Sequence, residues 1–393
     1  MTDLRFRFRD ADRIPAPDLW QEIVTREPMA PVRPPLWPRV AVAAAAFAVA
    51  ALGLVLLART FLPRTTVSDE PTPTPTGAFR PEPKANGLIA FVRTDPESMT
   101  PHESDFPLTD LYTVEPDGGG ARRLVRAQGF LFRSTVAWSP DGSRIAFRWQ
   151  GPIRVMNADG SGIEQLTTCR LPDCDADAGG DSHPSWSPDG TRVAFSRFNG
   201  THEELWVVGA DGSEPRPLNQ EFAAIIQVAW SPDGTAIAVV GFAGPGPDIG
   251  PDRIYLVDAE TGQIVRTLGA PSGLEFGGTI SWSPDAQFLA FDAYRGEGTL
   301  DAVAGIYVMR TDGTHARLLT ACPTDHLGGC TDMHPAWSPD GRQIAFTRAL
   351  PELGSDGFMG DIFVIDVDGG RVRRVTSGPG LDCCPAWQPV APG

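Results

Sequence analysis

The stretch HPAWSPDGRQIAF, His334 to Phe346, decides the fold because related copies of it recur along the chain. Complete copies begin at Val136 (VAWSPDGSRIAF), His183 (HPSWSPDGTRVAF), Val228 (VAWSPDGTAIAV) and Ile280 (ISWSPDAQFLAF), and a partial copy, DCCPAWQP, begins at Asp382. Their tryptophans are spaced by 48, 44, 52, 55 and 50 residues and are Trp138, Trp186, Trp230, Trp282, Trp337 and Trp387. A period of this length, with several short strands in each unit, is typical of β-propeller blades.

Each unit predicts four strands separated by two tight turns. The Trp strand, an SPDG turn and an IAF-type strand are followed by a variable loop, a second apolar strand such as IYVM from Ile306, a DG turn and an outer strand. Proline fixes φ in the SPDG turn, and glycine supplies the positive φ of a tight hairpin. Because Ala286 replaces this glycine in one copy, we expect that turn to be strained or of another type.

The two ends of the repeat region complete one another. The first unit, GLIAFVR from Gly87, has no Trp strand before it, and the final CPAWQP has a Trp strand with nothing after it. The sequence therefore predicts an all-β, six-bladed propeller of four-stranded blades over residues 86–393. The last strand would serve as the innermost strand of the first blade, which removes free sheet edges.

The WSPDG-x-x-[IVL]-AF core resembles the WD-like repeat units of TolB-like β-propellers and of the propeller domains attached to some prolyl peptidases. The resemblance covers nearly all of residues 86–393 and implies the propeller fold. It does not by itself imply a function, because such propellers host both binding and catalysis.

The segment before the repeats predicts a membrane anchor. Val40 to Ala58 is an uncharged run of 19 residues bracketed by Arg39 and Arg59, which is long enough to cross a bilayer. A buried core helix or a cleaved signal peptide is less well supported, because of these arginines and the long preceding segment. We expect a cytosolic segment at 1–39, a single transmembrane helix acting as signal anchor at 40–62 and a Pro/Thr-rich stalk at 63–85.

The stalk and the cysteines favour an extracellular propeller on a single-pass protein of the cell membrane. DEPTPTPTG cannot form a packed core, and all six cysteines follow it, which fits an oxidising exterior. On the inner side, Asp18 and Gln21 form a candidate capping box for a short amphipathic helix. That helix could dock a cytosolic partner or lie on the membrane surface.

The cysteines lie in long loops, on the face of the disc opposite the SPDG and DG turns. Cys169 with Cys174, and Cys322 with Cys330, are predicted local disulfides. A bond between Cys383 and Cys384 is left open, because adjacent α-carbons are ~3.8 Å apart, closer than in usual disulfides.

Two further features are candidate ligand sites. Asp173, Asp175, Asp177 and Asp181 alternate as calcium ligands can, although a solvated acidic loop is the alternative. Three residues before each tryptophan, six positions are predicted to ring the channel mouth: Thr135, His183, Gln227, Thr279, His334 and Cys384. His183 and His334 should face one another across the pore, either as structural residues or as ligand contacts.

The net charge of −16 argues against binding nucleic acid, whose phosphates an acidic protein would repel. The chain has no GxSxG elbow and no cluster of histidines with carboxylates. We therefore expect a non-catalytic binding, sensing or scaffolding module for a protein, peptide or glycan, without a cofactor unless calcium binds. The alternatives are a propeller-based hydrolase or lyase, and a transmembrane regulator acting through residues 1–39.

Overall fold

The computed structural model describes residues 84–94, 109–127, 135–168, 180–244, 253–295, 303–320, 330–351, 358–378 and 380–390. The chain divides into two units, Met1–Thr74 and Pro75–Gly393, and every described residue belongs to the second. The predicted cytosolic segment, the transmembrane helix and nearly all of the stalk therefore lie outside the described residues. Within the described ranges, no helix has the length and hydropathy needed to span a bilayer.

In the described part of the chain, 24 strands form six antiparallel sheets of four strands each. Blade 1 contains β1 (Ala85–Thr94), β2 (Thr109–Val114), β3 (Arg122–Ala127) and, as its inner strand, β24 (Asp382–Val390). From the inner strand outward, blade 2 contains β4 (Ala137–Trp138), β5 (Arg144–Arg148), β6 (Ile153–Asn157) and β7 (Glu164–Gln165), and blade 3 contains β8 (Asp181–Trp186), β9 (Arg192–Phe198), β10 (Glu203–Gly209) and β11 (Arg216–Asn219). Blade 4 contains β12 (Phe222–Trp230), β13 (Ala236–Ala243), β14 (Arg253–Asp258) and β15 (Ile264–Leu268). Blade 5 contains β16 (Glu275–Trp282), β17 (Phe288–Arg295), β18 (Val303–Arg310) and β19 (Arg317–Leu318), and blade 6 contains β20 (Thr331–Trp337), β21 (Gln343–Pro351), β22 (Phe358–Asp366) and β23 (Arg373–Arg374).

The ring closes through the last strand, as the two partial repeats predict. β24 pairs antiparallel with β1 and places Trp387 opposite Ile89. Trp387 also packs in one apolar cluster with Ala345 and Ile362 of blade 6. The predicted six-bladed architecture of four-stranded blades is confirmed, and β24 belongs to the first sheet while it packs against blade 6.

The second strand of every blade carries the core of the fold. Its apolar triplet is fully or almost fully buried between neighbouring blades, and phenylalanine occupies the third position in five blades: Phe91, Phe147, Phe195, Phe291 and Phe346. Burying an aromatic side chain of this kind stabilises a fold by roughly 1.5–3 kcal/mol. The repeat is thus conserved along the chain where each sheet must pack on the next.

The SPDG turns share one geometry. In blade 6, the Gly341 N–H donates to the Ser338 carbonyl at 2.9 Å, and Gly341 has a φ of 77°. Ala286 forms the same bond to Ser283 at 2.9 Å with a φ of 58°. The alanine copy is therefore a strained form of the same turn, since a β-carbon disfavours positive φ.

The six repeat tryptophans bind neighbouring blades in two ways. Four of them donate the indole N–H to the carbonyl of an alanine in the preceding blade, at 3.0–3.2 Å: Trp138 to Ala386, Trp186 to Ala137, Trp282 to Ala229 and Trp387 to Ala336. Where that alanine is a serine, the serine hydroxyl accepts the tryptophan backbone N–H at 2.8–2.9 Å, from Trp230 to Ser185 and from Trp337 to Ser281. In these two cases the indole donates to its own turn instead. One side chain thus selects how two blades join.

Candidate functional site

A cavity of about 670 Å³ occupies the centre of the ring and receives residues from all six blades. It is lined by Thr135, Arg148, Ser182, His183, Glu203, Ile225, Ile226, Gly277, Thr279, Thr331, Met333, His334, Ala349, Leu381, Cys383 and Cys384. Most of these residues precede the tryptophan on an inner strand. Because each inner strand runs towards its SPDG turn, the cavity lies towards the opposite, long-loop face.

Five of the six residues that the repeat predicts at the channel mouth line this cavity: Thr135, His183, Thr279, His334 and Cys384. Gln227 has another contact. Its amide accepts from the Ile280 N–H at 2.6 Å and donates to the Ile280 carbonyl at 3.1 Å. Gln227 therefore joins the inner strands of blades 4 and 5.

Three of the lining residues have a left-handed backbone. His183, His334 and Cys384 have φ values of 55°, 55° and 60°. Each precedes a proline, and strand pairing shifts register at each of them. A bulge re-aims a side chain, and a non-glycine residue with positive φ stores strain. The same local distortion is thus built three times around the cavity.

Each distortion is accompanied by a buried ion pair that the sequence analysis did not identify. The residue two positions before the left-handed one is an aspartate, and an arginine of the neighbouring strand binds it through two nitrogens at 2.6–2.8 Å: Asp181 with Arg197, Asp332 with Arg348 and Asp382 with Arg93. Bidentate contacts of this type are strong and directional. The sequence signal is an Asp-x-[His/Cys]-Pro motif, matched by an arginine two residues after the buried phenylalanine.

Each arginine also lies over two aromatic rings of its own blade. The guanidinium carbons are 4.4–5.5 Å from the ring centroids: Arg93 over Phe91 and Tyr112, Arg197 over Phe195 and Trp206, and Arg348 over Phe346 and Phe363. Such cation–π contacts hold the arginine in place while it binds the aspartate. Aspartate, arginine and two rings therefore form one structural module that supports each bulge.

This module corrects one part of the predicted calcium site. Both carboxylate oxygens of Asp181 bind Arg197, and the side chain is fully buried. Asp181 is therefore a structural residue, because a guanidinium occupies the oxygens that a cation would need. Asp173, Asp175 and Asp177 lie outside the described residues. Among the residues that are described, no group of three metal-ligating side chains is arranged to hold an ion.

The cysteines fall into two groups. Cys330 is disulfide-bonded, while its predicted partner Cys322, and the pair Cys169 and Cys174, lie outside the described ranges. Cys383 and Cys384 are buried free thiols, and their sulfurs are 2.7 Å apart. The bond that the sequence left open between these two cysteines is not formed in this state.

The seam between blades 6 and 1 brings Cys384 next to His334. The two side chains share a hydrogen bond. The hydrogen bond with Cys383, together with the charge and hydrogen bond of His334, lowers the pKa of the Cys384 thiol to about 5 against the opposing effect of burial. The pKa of Cys383 is raised, because it is hydrogen-bonded to Cys384, buried and close to Asp382. When Cys384 is a thiolate, Cys383 is the donor of the pair.

Residues of blade 5 also contact His334. The His334 backbone N–H donates to the Thr279 hydroxyl at 3.2 Å, and the Thr279 N–H donates to the Asp292 carboxylate at 2.7 Å. Burial raises the pKa of Asp292, while the positive charge of His334 and the hydrogen bonds of Thr279 oppose that rise. His334 therefore hydrogen-bonds Cys384 of blade 1 and interacts electrostatically with Asp292 of blade 5.

The blade 3 side of the cavity has different chemistry. Glu203 accepts from the Ile225 N–H at 2.6 Å. Burial raises the pKa of Glu203 to about 7, although this hydrogen bond and the charge of Arg148 lower it. His183 contacts the Ser196 hydroxyl at 3.2 Å through Nδ1. A carboxyl that ionises near neutral pH therefore lines this side, and a perturbed acid in a cavity is a marker of a functional site.

The propeller is similar to proteins of one family. A sequence model described as the TolB beta propeller domain matches residues 191–350. The Tol-Pal system protein TolB of Zymomonas mobilis subsp. mobilis is 35% identical over 86 residues, which is 22% of this chain and 16% of that protein. This chain thus spans only a small part of that relative's length.

Two solved structures show the same fold. TolB from Acinetobacter baumannii superimposes with a TM-score of 0.59 at 21% identity, over 79% of this chain and 68% of that one. A putative TolB from Agrobacterium tumefaciens has a TM-score of 0.50 at 19% identity, over 74% of this chain and 89% of that one. At these identities the likeness establishes the fold and leaves the ligand open.

Proposed function

We propose that this chain, which carries a TolB-like six-bladed propeller, uses its central cavity and long-loop face to bind a segment of a protein, peptide or glycan. The observation that carries the proposal is the cavity itself. Its volume of about 670 Å³ lies within the ~300–1,000 Å³ of typical ligand sites, which combine apolar walls with a few placed polar groups.

Glu203, which shares the cavity lining with Arg148, favours a ligand that donates hydrogen bonds or carries positive charge. Glu203 is a carboxyl poised to ionise near neutral pH, and a cationic or N–H-bearing group would stabilise its charged form. Apolar contacts come from Ile226, Met333 and Leu381. A polypeptide segment with a lysine, an arginine or a free amino group fits this combination better than an acidic ligand does.

We further propose that residues 40–62 hold the propeller at the outer surface of the cell membrane, with residues 1–39 inside. The support is the uncharged run from Val40 to Ala58 and the Pro- and Thr-rich sequence after it. An epitope tag inserted after Thr76 should be stained on intact cells, and a tag at the amino terminus only after permeabilisation. Staining of the amino-terminal tag on intact cells, or of the inserted tag only after permeabilisation, would contradict this arrangement.

The binding proposal is tested by filling the cavity in the full-length protein. Surface cross-linking in the native membrane, followed by mass spectrometry, is compared between wild type and Ile226→Arg, which places a long cation among the lining residues. The matched control is Val265→Arg, at a side chain that is 62% exposed on outer strand β15. We expect the cross-linked partner to fall at least tenfold in the first variant and to stay unchanged in the second. Equal capture by both variants would show that the cavity is not the binding site.

A further inference from the structure

The seam between blades 6 and 1 carries a pair of cysteines at a position where the equivalent motifs carry a single histidine. The three motifs read Asp181-Ser-His-Pro, Asp332-Met-His-Pro and Asp382-Cys-Cys-Pro. Because blades 6 and 1 are neighbours, the cysteine of one motif reaches the histidine of another. His183, on the far side of the ring, has the Ser196 hydroxyl as its side-chain contact instead.

We propose that Cys384 is a nucleophilic thiol that reacts with disulfide-bonded ligands entering the central cavity, with Cys383 as the resolving thiol. Four features of the geometry support this role. Cys384 lines the cavity, shares a hydrogen bond with His334, lies 2.7 Å from a second sulfur and is held in a strained left-handed conformation. An imidazole beside a thiol is the usual way in which proteins activate a cysteine.

The reaction balances without a further reagent. The Cys384 thiolate attacks one sulfur of the ligand disulfide, a mixed disulfide forms, and the other ligand sulfur leaves as a thiolate. The Cys383 thiol loses its proton, attacks the Cys384 sulfur and releases the second ligand thiolate. The ligand disulfide is thereby reduced to two thiols, and the protein dithiol is oxidised to a bond between Cys383 and Cys384. That bond joins adjacent residues and is strained, which allows an external thiol to regenerate the dithiol.

The charges around the seam leave His334 as the cation that acts directly on Cys384. Strands β1, β20, β21, β22, β23 and β24 bring charged groups to this region as ion pairs: Asp382 with Arg93, Asp332 with Arg348 and Asp361 with Arg374. Each pair is nearly neutral when viewed from a distance. Asp292 of β17 interacts electrostatically with His334 from blade 5. A positive charge on His334 stabilises the Cys384 thiolate.

The proposal extends the proposed function by a chemical step, yet the two can fail separately. A small neutral disulfide reports thiol chemistry whether or not a macromolecule binds. The probe is 4,4′-dithiodipyridine, because a neutral reagent is not repelled by the Glu203 carboxylate in the cavity. Its release of thiopyridone is followed between pH 6 and 8 in the full-length protein, in which Cys330 stays disulfide-bonded and Cys383 and Cys384 are free thiols. The peptide Val375–Gly393, obtained by tryptic cleavage, identifies the cysteine that has reacted by its mass.

The wild-type protein should react at nearly the same rate at pH 6 and pH 8, within about twofold, because a thiolate with a depressed pKa is already charged over that range. The peptide should lose two hydrogens as the disulfide closes. Cys383→Ser should stop at the mixed disulfide on Cys384, with one thiopyridone released from this peptide. Cys384→Ser should react at least about 100-fold more slowly at pH 6, because the remaining thiol is protonated there.

His334→Asn should restore an ordinary thiol, whose rate rises by up to about tenfold per pH unit. Asparagine is chosen because it tolerates positive φ better than most residues. The matched control is His315→Asn, at an exposed histidine with a φ of 56° on the turn face of blade 5, and it should keep the flat profile. A wild-type rate that rises tenfold per pH unit, or fast reaction of Cys384→Ser at pH 6, overturns the proposal even if His334→Asn does not fold.

Discussion

Blade 3 and the seam between blades 6 and 1 begin from the same motif, yet they place different chemistry on opposite sides of one cavity. In both regions an aspartate binds an arginine, the next residue but one is left-handed, and a proline follows. In blade 3 the motif places the His183 side chain beside the Ser196 hydroxyl. At the seam two such motifs are adjacent, so a histidine meets a thiol. Chemistry in this ring thus comes from which repeats are neighbours, rather than from the repeat alone.

The comparison also explains why the distortion persists in three blades. A non-glycine residue at positive φ costs about 1–3 kcal/mol, and only a rigid surrounding can hold it there. The buried aspartate, the arginine and the two aromatic rings supply that rigidity in each case. In blades 2, 4 and 5 the equivalent residues are Thr135, Gln227 and Thr279, and none of them has a positive φ. The described residues of these three blades also form no arginine–aspartate module.

Removal of the closing strand at the seam should destabilise the propeller more than any other change. Deleting residues 381–393 removes β24 and with it the buried side chains of Cys383, Cys384 and Trp387, and it exposes the edge of β1. Several buried side chains at roughly 1.5–3 kcal/mol each approach the ~5–15 kcal/mol stability of a whole domain. We expect no cooperative thermal unfolding transition in this variant.

Deletion of residues 391–393 alone serves as the control, because it leaves β24 complete. This shorter chain should melt at the wild-type temperature. A normal melting temperature after the longer deletion would show that the ring does not depend on its last strand.

The next largest effect concerns the module that the two regions share. Arg348→Met leaves the fully buried Asp332 carboxylate without its guanidinium, which costs about 3–5 kcal/mol. In a protein of this size the melting temperature should fall by about 10 °C. Arg197→Met and Arg93→Met should cost progressively less, because the arginine side chains are 11%, 15% and 22% exposed in blades 6, 3 and 1.

A second substitution separates the charge effect from a loss of packing. Arg348→Met combined with Asp332→Leu removes the buried charge as well and should recover more than half of the lost stability. If the double variant is no more stable than Arg348→Met, the aspartate is not what makes the single substitution costly.

The two sides of the cavity also shift their acids in opposite directions, which a pH titration can separate. On the blade 3 side, the pKa of Glu203 rises from 4.5 to about 7. The folded state therefore binds more protons than the unfolded state between these values, so this residue makes stability fall as pH rises from about 4.5 to 7. At the seam, the lowered pKa of Cys384 has the opposite sign: its contribution is full above its unfolded pKa and is lost as pH falls towards 5.

Glu203→Gln isolates the first of these two effects. The variant should gain up to about 3 kcal/mol relative to wild type between pH 4.5 and pH 8, measured by chemical unfolding at each pH. Glu260→Gln is the control, because that side chain is 70% exposed, and its difference from wild type should change by less than about 0.5 kcal/mol. A constant difference between Glu203→Gln and wild type across this range would contradict the raised pKa.

The sequence repeats predict the architecture and part of the cavity. They do not predict contacts that depend on loops or on residues that differ between the copies. Six tryptophans and two partial units were sufficient for the blade count and the closure, because identical strands must pack identically. The ring of positions three residues before each tryptophan also follows from the repeat. The roles of Glu203 and Asp292 do not, since these residues lie on β10 and β17. Glu203 reaches the cavity, and Asp292 acts on His334, only after neighbouring inner strands are placed.

The arginine–aspartate modules lie between these two cases. Their residues occur in the sequence at constant offsets, but in three of six units only. The motif can be recognised as an ion pair only once β-pairing places Asp332 opposite Arg348. The membrane anchor, the inner helix and three of the four calcium candidates fall outside the described residues and stay predictions.

Loss of the serine hydroxyl that joins blade 3 to blade 4 should destabilise the propeller only slightly. The Ser185 hydroxyl accepts the Trp230 backbone N–H at 2.8 Å, whereas at the seam the Ala336 carbonyl accepts the Trp387 indole at 3.1 Å. Ser185→Ala removes the acceptor and should cost about 0.5–1.5 kcal/mol. Hydrogen exchange at the Trp230 amide should become faster by roughly tenfold, since 1.4 kcal/mol corresponds to that factor. Ser281→Ala should act in the same way on Trp337, and unchanged exchange in both variants would mean that the serine hydroxyls do not decide how these blades join.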